Sequence, residues 1–544
     1  MRVLVVGAGP VGARLAEELL PAVRSGAIAL TVVGAEPVAA YNRVLVAEHA
    51  VGAVPLEEIM LQDADELVSA GVDLRLSSWV IGVDTARRTA TIDAGTTAPY
   101  DLEYDRIVFA TGARANIPTL EGVPRSASSD AQRHVVTRAV GADDRLPRGV
   151  TALRDLADAA RVADAVDRRD RIVVLGAGVL GLEFALLAAR AGCETVVVHH
   201  GATPMPRSLD RGAVLTLARS LRAAGVTVLP HSRAEAIAVR HEPDGEARFD
   251  ALITADGKHV HGGLLVLSCG VGARTELAAL AGLRVGRGIL VDRRLTSWSD
   301  PNVHAIGDCA HVADPPVNDR GGTVPGGPSG LVGPGWQQAD WLATRLTAEA
   351  CGHPFDREPP AERPAIVMLK GENVECVAVG DVSGEPWDSA PEGGRSVAMW
   401  ADPEHGAYVK MVTDHGVLTA FAAIGTPRTA AELTLLFERG AELPVDRSLM
   451  LRYDGVGHDA AESTDAGPEA TVCWCNGVSA GRIADAAVAA VGEDRHGACT
   501  VADIGAATRA GTGCGGCRGR IQSILDGVAK DGLAGDRAAA RVSV

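Results

Sequence analysis

At 544 residues the chain is too long for one ordinary domain and suggests three or four. Apolar residues make up 47% and aromatics 3%, a mix rich in Ala, Gly, Val and Leu that suits α/β layers. The formal charge of -17 argues against nucleic acid or anionic membrane as partners, and no apolar run reaches the roughly eighteen residues of a membrane span.

The apolar run at the N-terminus is short and leads straight into a glycine fingerprint, not a signal-peptide cleavage site. A cytoplasmic location with reduced thiols is therefore expected. Residues 2–6 read as a strand buried on both faces, followed by Gly7-Ala-Gly9-Pro10-Val-Gly12 and an amphipathic helix to about Leu20. A second strand, Ala29 to Val33, ends near Glu36, whose carboxylate can accept hydrogen bonds from ribose hydroxyls or be a solvated loop acid.

The pattern recurs. Ile172 to Leu175 is the strand, Gly176-Ala-Gly178-Val179-Leu180-Gly181 the turn, Leu182 to Ala191 the helix, and Thr195 to Val198 the next strand. A glycine turn between strand and helix gives pyrophosphate backbone N–H donors and the positive end of a helix, so two dinucleotide folds are expected. The second lacks an acid at its strand end. It carries His199 and His200 instead, for which a surface role is expected, with Arg207 downstream.

Ser126 to Arg148 reads as a polar surface loop, and Asp314 to Gly335 as a Pro/Gly-rich one. Short strands at Ile366–Met368, Ala407–Met411 and Val417–Phe421, then a helix from Thr429 to Gly440, make a small α+β module. Residues 454–470 form a polar linker whose root-mean-square span of roughly 20–25 Å would let a small domain swing. Of ten cysteines, five (Cys473, Cys475, Cys499, Cys514 and Cys517) crowd the last fifth of the chain. Four thiolates in two close pairs can hold zinc or a [2Fe–2S] cluster. The Cys-x-Cys spacing of Cys473 and Cys475 argues against zinc, and Cys499 is a rival ligand.

Two further segments fit a flavoprotein: the strand Arg106–Phe109 with its turn Ala110-Thr111-Gly112, and the strand from Asn302 that ends in Gly307-Asp308. With these in place, residues 1–345 resemble the two-dinucleotide-domain pyridine-nucleotide flavoprotein reductases. Tyr41-Asn42-Arg43-Val44-Leu45 and the run from Gly330 through Ala339 resemble the branch containing assimilatory nitrite reductase subunits and the electron-transfer subunit of assimilatory nitrate reductase. Residues 365–450 resemble its C-terminal reductase module. Cys-x-Cys-Asn-Gly with Cys-Gly-Gly-Cys resembles the bacterioferritin-associated-ferredoxin-like [2Fe–2S] domain.

The resemblance implies an α/β fold with two Rossmann-like domains, a small α+β module and a small helical [2Fe–2S] domain. It implies FAD bound by 1–120 with 265–350, NAD(P)H bound by 150–264, the module at 360–450 and the cluster domain at 471–530. FAD would meet Gly7, Gly9, Pro10, Gly12, Glu36, Asn42, Arg43, Ala110, Thr111, Gly112, Gly307, Asp308 and Gln338. NAD(P)H would meet Gly176, Gly178, Val179, Leu180, Gly181, His199 and Gly270. Glu183 resembles a nicotinamide-side carboxylate, or is a helix-surface acid. Cys473, Cys475, Cys514 and Cys517 would hold the cluster. No Cys-x4-Cys pair follows either glycine turn, so no thiol relay is expected. The nitrite reductase subunits continue into a sirohaem-binding region, whereas this chain stops soon after Cys517. The expected role is NAD(P)H-oxidising electron transfer to a molybdenum-containing nitrate reductase subunit. A reductase of rubredoxin or ferredoxin, a donor to a separate nitrite reductase, or a redox-sensing binding protein are the rivals.

Overall fold

A computed structural model describes residues 1–123, 146–243, 246–315, 323–359, 364, 366–371, 374–388, 394–454, 468, 471–473, 476–492, 499–512 and 517–528. Most of the expected 126–148 loop and of the 454–470 linker lies outside these residues. The described chain forms two compact units, one of residues 1–206 with 221–365, the other of 207–220 with the chain from 366 onward.

The first unit holds two parallel five-stranded sheets built to one plan. In the first, Val303–Ala305, Arg106–Phe109, Arg2–Val6, Ala29–Val33 and Asp73–Arg75 lie side by side. In the second the order is Val226–Leu229, Thr195–Val198, Ile172–Leu175, Leu264–Leu267 and Val150–Thr151. In each, an apolar strand is buried on both faces, as parallel sheets require. A three-stranded antiparallel sheet accompanies each: Trp79–Asp84, Thr89–Asp93 and Tyr100–Glu103 in the first case, Ala234–His241, Ala247–Thr254 and His259–His261 in the second.

The first helix, Pro10–Arg24, runs past the expected end at Leu20, because Pro21 is accommodated inside it. The second, Val179–Arg190, starts one turn earlier than expected, directly at the glycine turn. Val332–Ala350 is helical where a loop was expected up to Gly335. Pro334 falls in its first turn, where a missing N–H costs nothing. This helix packs on the first one through the Arg14–Asp340 pair at 2.5 Å and the Trp336 indole N–H, which donates to the Pro10 carbonyl at 3.0 Å.

In the second unit, the strands Val367–Gly371, Val374–Val379, Val417–Ile424, Ala407–Asp414 and Arg395–Asp402 pair antiparallel, with the helix Pro427–Arg439 packed on the sheet. Two of these strands, Val374–Val379 and Arg395–Asp402, escaped the sequence reading. Arg395–Asp402 is largely exposed and lacks a clean alternation. Residues 471–528 add the pair Thr471–Cys473 and Val478–Ser479, the helices Ala480–Gly492 and Val501–Thr508, and a helix over 518–528. Among the described residues no helix is long and apolar enough to cross a membrane.

The second unit contains a buried ion pair. Lys410, on the central sheet and 1% exposed at its side chain, donates to Asp210 at 2.7 Å, and the Tyr408 hydroxyl donates to the same carboxylate oxygen at 2.7 Å. Gly212 admits the Tyr408 ring, which a Cβ there would meet at 2.5 Å. Burial alone would push the Asp210 carboxyl up, but the hydrogen bonds from Lys410 and Tyr408 outweigh it and hold the group below its ordinary value. Lys410→Ala, which strands a half-buried carboxylate, should destabilise the protein by about 3 kcal/mol in denaturant unfolding at neutral pH. Because the folded carboxyl is depressed, the difference from wild type should be full above the ordinary carboxylate range and shrink as pH falls through the folded value.

Candidate functional site

Both glycine turns exist because backbone meets backbone there. Gly7 has φ +117°, and a Cβ on it would lie 2.3 Å from the Ala110 carbonyl oxygen. One on Gly12 would lie 2.0 Å from the Gly7 oxygen. Gly176 (φ +120°) and Gly181 repeat the contacts at 2.1 Å from the Ser268 oxygen and 2.3 Å from the Gly176 oxygen. The middle glycines differ. A Cβ on Gly9 or Gly178 meets nothing within 4 Å. Each is the N-cap of its helix and has no side-chain cap, so the first N–H groups of the helix are left for a ligand.

Both turns open onto one cavity of about 760 Å³. Of the residues expected to bind FAD, Gly7, Gly9, Pro10, Glu36, Asn42, Arg43, Ala110, Thr111, Gly112, Gly307 and Asp308 line it. So do Gly178, Val179, Leu180, Gly181, Glu183 and Gly270 from the second set. Four expected residues do not. Gly12 and Gly176 sit beneath their turns, and Gln338 accepts the Gly307 N–H at 2.8 Å through Oε1, shaping the wall from behind. His199 is buried, 6% exposed, and does not line the cavity. The surface role expected of His199 is thereby corrected: its ring lies against Gly201. His200 is exposed as expected.

The Glu36 carboxylate takes the Tyr41 hydroxyl at 2.7 Å and a close contact from Arg43. Arg43 also donates to the Arg154 carbonyl at 3.0 Å. Asn42 caps the turn after it, accepting the Val44 N–H at 3.0 Å. Burial pushes the Asp308 carboxyl up, and the nearby Arg154 and Arg43 only partly offset it.

Three cavity arginines, Arg114, Arg154 and Arg274, escaped the sequence reading. Arg154 follows Leu153, which adopts φ +49° with no glycine to announce the turn. Asp158, fully buried, fixes this corner. It accepts the Arg154 N–H at 2.7 Å, the Thr151 hydroxyl at 2.9 Å and Arg161 at 2.9 Å. The Arg154 Nε is buried with no partner among the described residues. Arg274 is held by its backbone, its N–H donating to the Gly112 carbonyl at 2.9 Å and its carbonyl accepting the Thr111 hydroxyl at 2.9 Å. Burial by the surrounding protein lowers the basicity of Arg154 and Arg274, with Arg114 and Arg43 adding to the effect on Arg274. Open helix N-termini, an unpartnered guanidinium nitrogen and a bare glycine cradle are what a dinucleotide diphosphate needs.

A second candidate site lies in 471–528. Cys473 and Cys517 are both buried, and a hydrogen bond from Cys517 pulls the Cys473 thiol down to about 6 against the opposing effect of burial. The Asn476 amide donates to the Cys473 sulfur at 3.7 Å and to the Arg509 carbonyl at 2.7 Å, tying the first cysteine strand to the loop before Cys517. Cys475 and Cys514 lie outside the described residues. Cys499 is half-buried and precedes the Thr500–Asp503 capping box. Two adjacent buried sulfurs, with Cys473 favouring the thiolate, fit an iron–sulfur ligand set.

Residues 1–329 match the family model "Pyridine nucleotide-disulphide oxidoreductase". The chain belongs to this family. Residues 471–527 match the BFD-like [2Fe-2S] binding domain. The family brings FAD and NAD(P)H, and the C-terminal domain brings the [2Fe–2S] cluster. Over 96% of its length the chain is 28% identical to the nitrite reductase [NAD(P)H] of Bacillus subtilis and 26% identical to that organism's assimilatory nitrate reductase electron transfer subunit. It spans 57% and 59% of those two relatives. A solved complex of putidaredoxin reductase with putidaredoxin has the same fold, with a TM-score of 0.62 at 22% identity, covering 82% of this chain and 95% of that one. The first cysteine in the sequence is Cys193, so neither glycine turn is followed by a Cys-x4-Cys pair on its helix.

The two kinds of glycine separate under substitution. Gly12→Ala, whose methyl would collide with the Gly7 carbonyl, should lower the unfolding midpoint whether or not cofactor is present. Gly9→Val should keep the fold by circular dichroism but purify without flavin absorbance. Gly178→Val should keep the flavin but lose its bleaching by NAD(P)H.

Proposed function

We propose that this chain oxidises NAD(P)H and delivers electrons singly to a redox partner, and that the partner is the molybdenum-containing catalytic subunit of an assimilatory nitrate reductase. The observation that carries the reading is the joining of two cofactor sites in one chain: a cavity onto which two glycine turns open, and a buried thiol pair in a separate C-terminal fold. FAD held in the cavity would supply hydride acceptance and a [2Fe–2S] cluster held by the cysteines would supply single-electron transfer, which would couple a two-electron donor to a one-electron acceptor.

In this reading residues 1–120 with 265–350 hold FAD and residues 150–264 hold NAD(P)H. The helix starting at Pro10 and the guanidiniums of Arg43, Arg154 and Arg274 meet the FAD diphosphate, and Glu36 and Asp308 take hydroxyls of the cofactor. The helix starting at Val179 meets the nicotinamide nucleotide, and Glu183, one turn into that helix and on the cavity wall, stands on the nicotinamide side. Cys473, Cys475, Cys514 and Cys517 ligate the cluster, with Asn476 orienting Cys473.

The relative named as a nitrate reductase electron transfer subunit supports the acceptor, since its similarity extends over 96% of this chain, cysteine domain included. The similarity to a nitrite reductase favours a second reading, in which the electrons go to a nitrite-reducing centre.

Cys514→Ser should lose its iron, keep FAD, keep NAD(P)H-dependent ferricyanide reduction within about twofold, and fail to reduce the partner. Nitrite formed from nitrate in a mixture with a purified nitrate reductase catalytic subunit is the readout. Full partner turnover by the variant would mean that electrons leave directly from the flavin. Turnover by wild type with a nitrite-reducing subunit but not with the nitrate-reducing one would favour the second reading.

A further inference from the structure

The two parallel sheets can be aligned residue by residue from their backbone hydrogen bonds. The Gly7 N–H donates to the Val33 carbonyl at 2.8 Å, and the Gly176 N–H donates to the Val198 carbonyl at 2.8 Å. One residue on, Gly34 donates to Arg75 at 2.8 Å and His199 to Leu229 at 3.2 Å. The Ser78 N–H returns to the Gly34 carbonyl at 2.9 Å, and the Ser232 N–H returns to the His199 carbonyl at 2.9 Å. Finally, the Ser77 N–H donates to the Glu36 carbonyl at 3.1 Å, and the His231 N–H donates to the Gly201 carbonyl at 3.0 Å. Ser77 and His231 share a left-handed backbone, with φ +49° and +54°.

The alignment puts Gly201 where the first fold carries Glu36, His200 where it carries Ala35, and His231 where it carries Ser77. A carboxylate at the Glu36 position serves a free ribose 2′-hydroxyl and repels a phosphate there. In the second fold that carboxylate is absent and two exposed imidazoles flank the gap. His200 and His231 lie close enough to His199 that their charges add to the effect of burial in lowering its basicity. The His199 ring packs under Gly201, with Nδ1 3.4 Å from where a Cβ would sit, and its buried Nε2 has no partner among the described residues. An imidazole donates a hydrogen bond in its neutral form and adds a positive charge when protonated, so both states suit a phosphate better than a hydroxyl.

We infer that the second dinucleotide fold recognises a 2′-phosphate, so that NADPH is the preferred electron donor, with His200 and His231 as the groups that bind it and the missing acid at Gly201 as the reason it is admitted. The inference rests on the reading of this fold as the nicotinamide-nucleotide site and goes one step beyond it, to the identity of the nucleotide.

The test uses the FAD-loaded protein, so that the flavin site is filled, and two fragments: adenosine 2′,5′-bisphosphate and 5′-AMP, each measured by calorimetry. The bisphosphate should bind about tenfold or more tightly than 5′-AMP, and kcat/KM should favour NADPH over NADH in the same direction. His200→Ala and His231→Ala should each weaken the bisphosphate several-fold and leave 5′-AMP unchanged. Gly201→Glu should lose the preference for the bisphosphate while keeping 5′-AMP. Equal or tighter binding of 5′-AMP by the wild type would overturn the inference and leave the nicotinamide site standing. Binding of neither fragment would overturn both. Should Gly201→Glu fail to fold, the two histidine variants, at exposed positions, still decide the matter: unchanged bisphosphate affinity in both would overturn the assignment.

Discussion

The contact on which the rest depends is the approach of the Gly12 α-carbon to the Gly7 carbonyl, repeated at Gly181 and Gly176. Neither approach leaves room for a methyl group. Because the helix can start so close to the strand, its free N–H groups point outward past a middle glycine whose flank is open space. The packing that forbids a side chain at the first and third glycines is therefore the same packing that presents donors at the second. The fold makes this arrangement twice, and both copies open onto one cavity. In the proposed reading each helix would hold one dinucleotide, and the shared cavity would let the two meet.

Charge completes what the backbone begins. Arg43 is tied to Glu36, so much of its charge is spent within the protein, whereas the buried Arg154 Nε has no partner among the described residues and Arg274 stands on the cavity wall. Asp158 matters although it is outside the cavity. It joins the strand at Thr151 to the following helix and thereby fixes the backbone that carries Arg154. Surrounding protein weakens the basicity of both arginines, and an anionic ligand would reverse that penalty. Asp308 faces the opposite way, its carboxyl pushed up by burial, which suits a group that exchanges hydrogen bonds with neutral hydroxyls.

Much of this was legible in the sequence because it is carried by glycine, by apolar runs and by cysteine spacing. Those signals depend only on local geometry. The strands Arg2–Val6 and Ile172–Leu175, both turns and the glycine-bearing part of the cavity wall follow from them. What was not legible depends on contacts far apart in the chain or on backbone shapes that no residue type announces. Arg154 is aimed by a positive φ at Leu153, and Arg274 by Gly112, which lies more than a hundred residues earlier. Val332–Ala350 takes a Gly-Pro-Gly run that reads as a loop into its first turn, and the packing of Trp336 against Pro10 overrides that preference. His199 read as a surface group, standing where an apolar strand ends and followed by His200 and Gly201. Its burial beneath Gly201 becomes visible only once the strand Val226–Leu229 lies alongside.

The central claim is that the thiol pair around Cys473 and Cys517 serves a cluster that lies on the electron path out of the cavity. It is tested most directly by mixing the full-length, anaerobic protein with NADPH and following flavin absorbance by stopped flow and the reduced [2Fe–2S] signal by rapid-freeze electron paramagnetic resonance. The account predicts that the flavin bleaches first and that the cluster signal rises behind it, fast enough to sustain turnover. A flavin that bleaches fully while the cluster stays oxidised through many turnovers would contradict it.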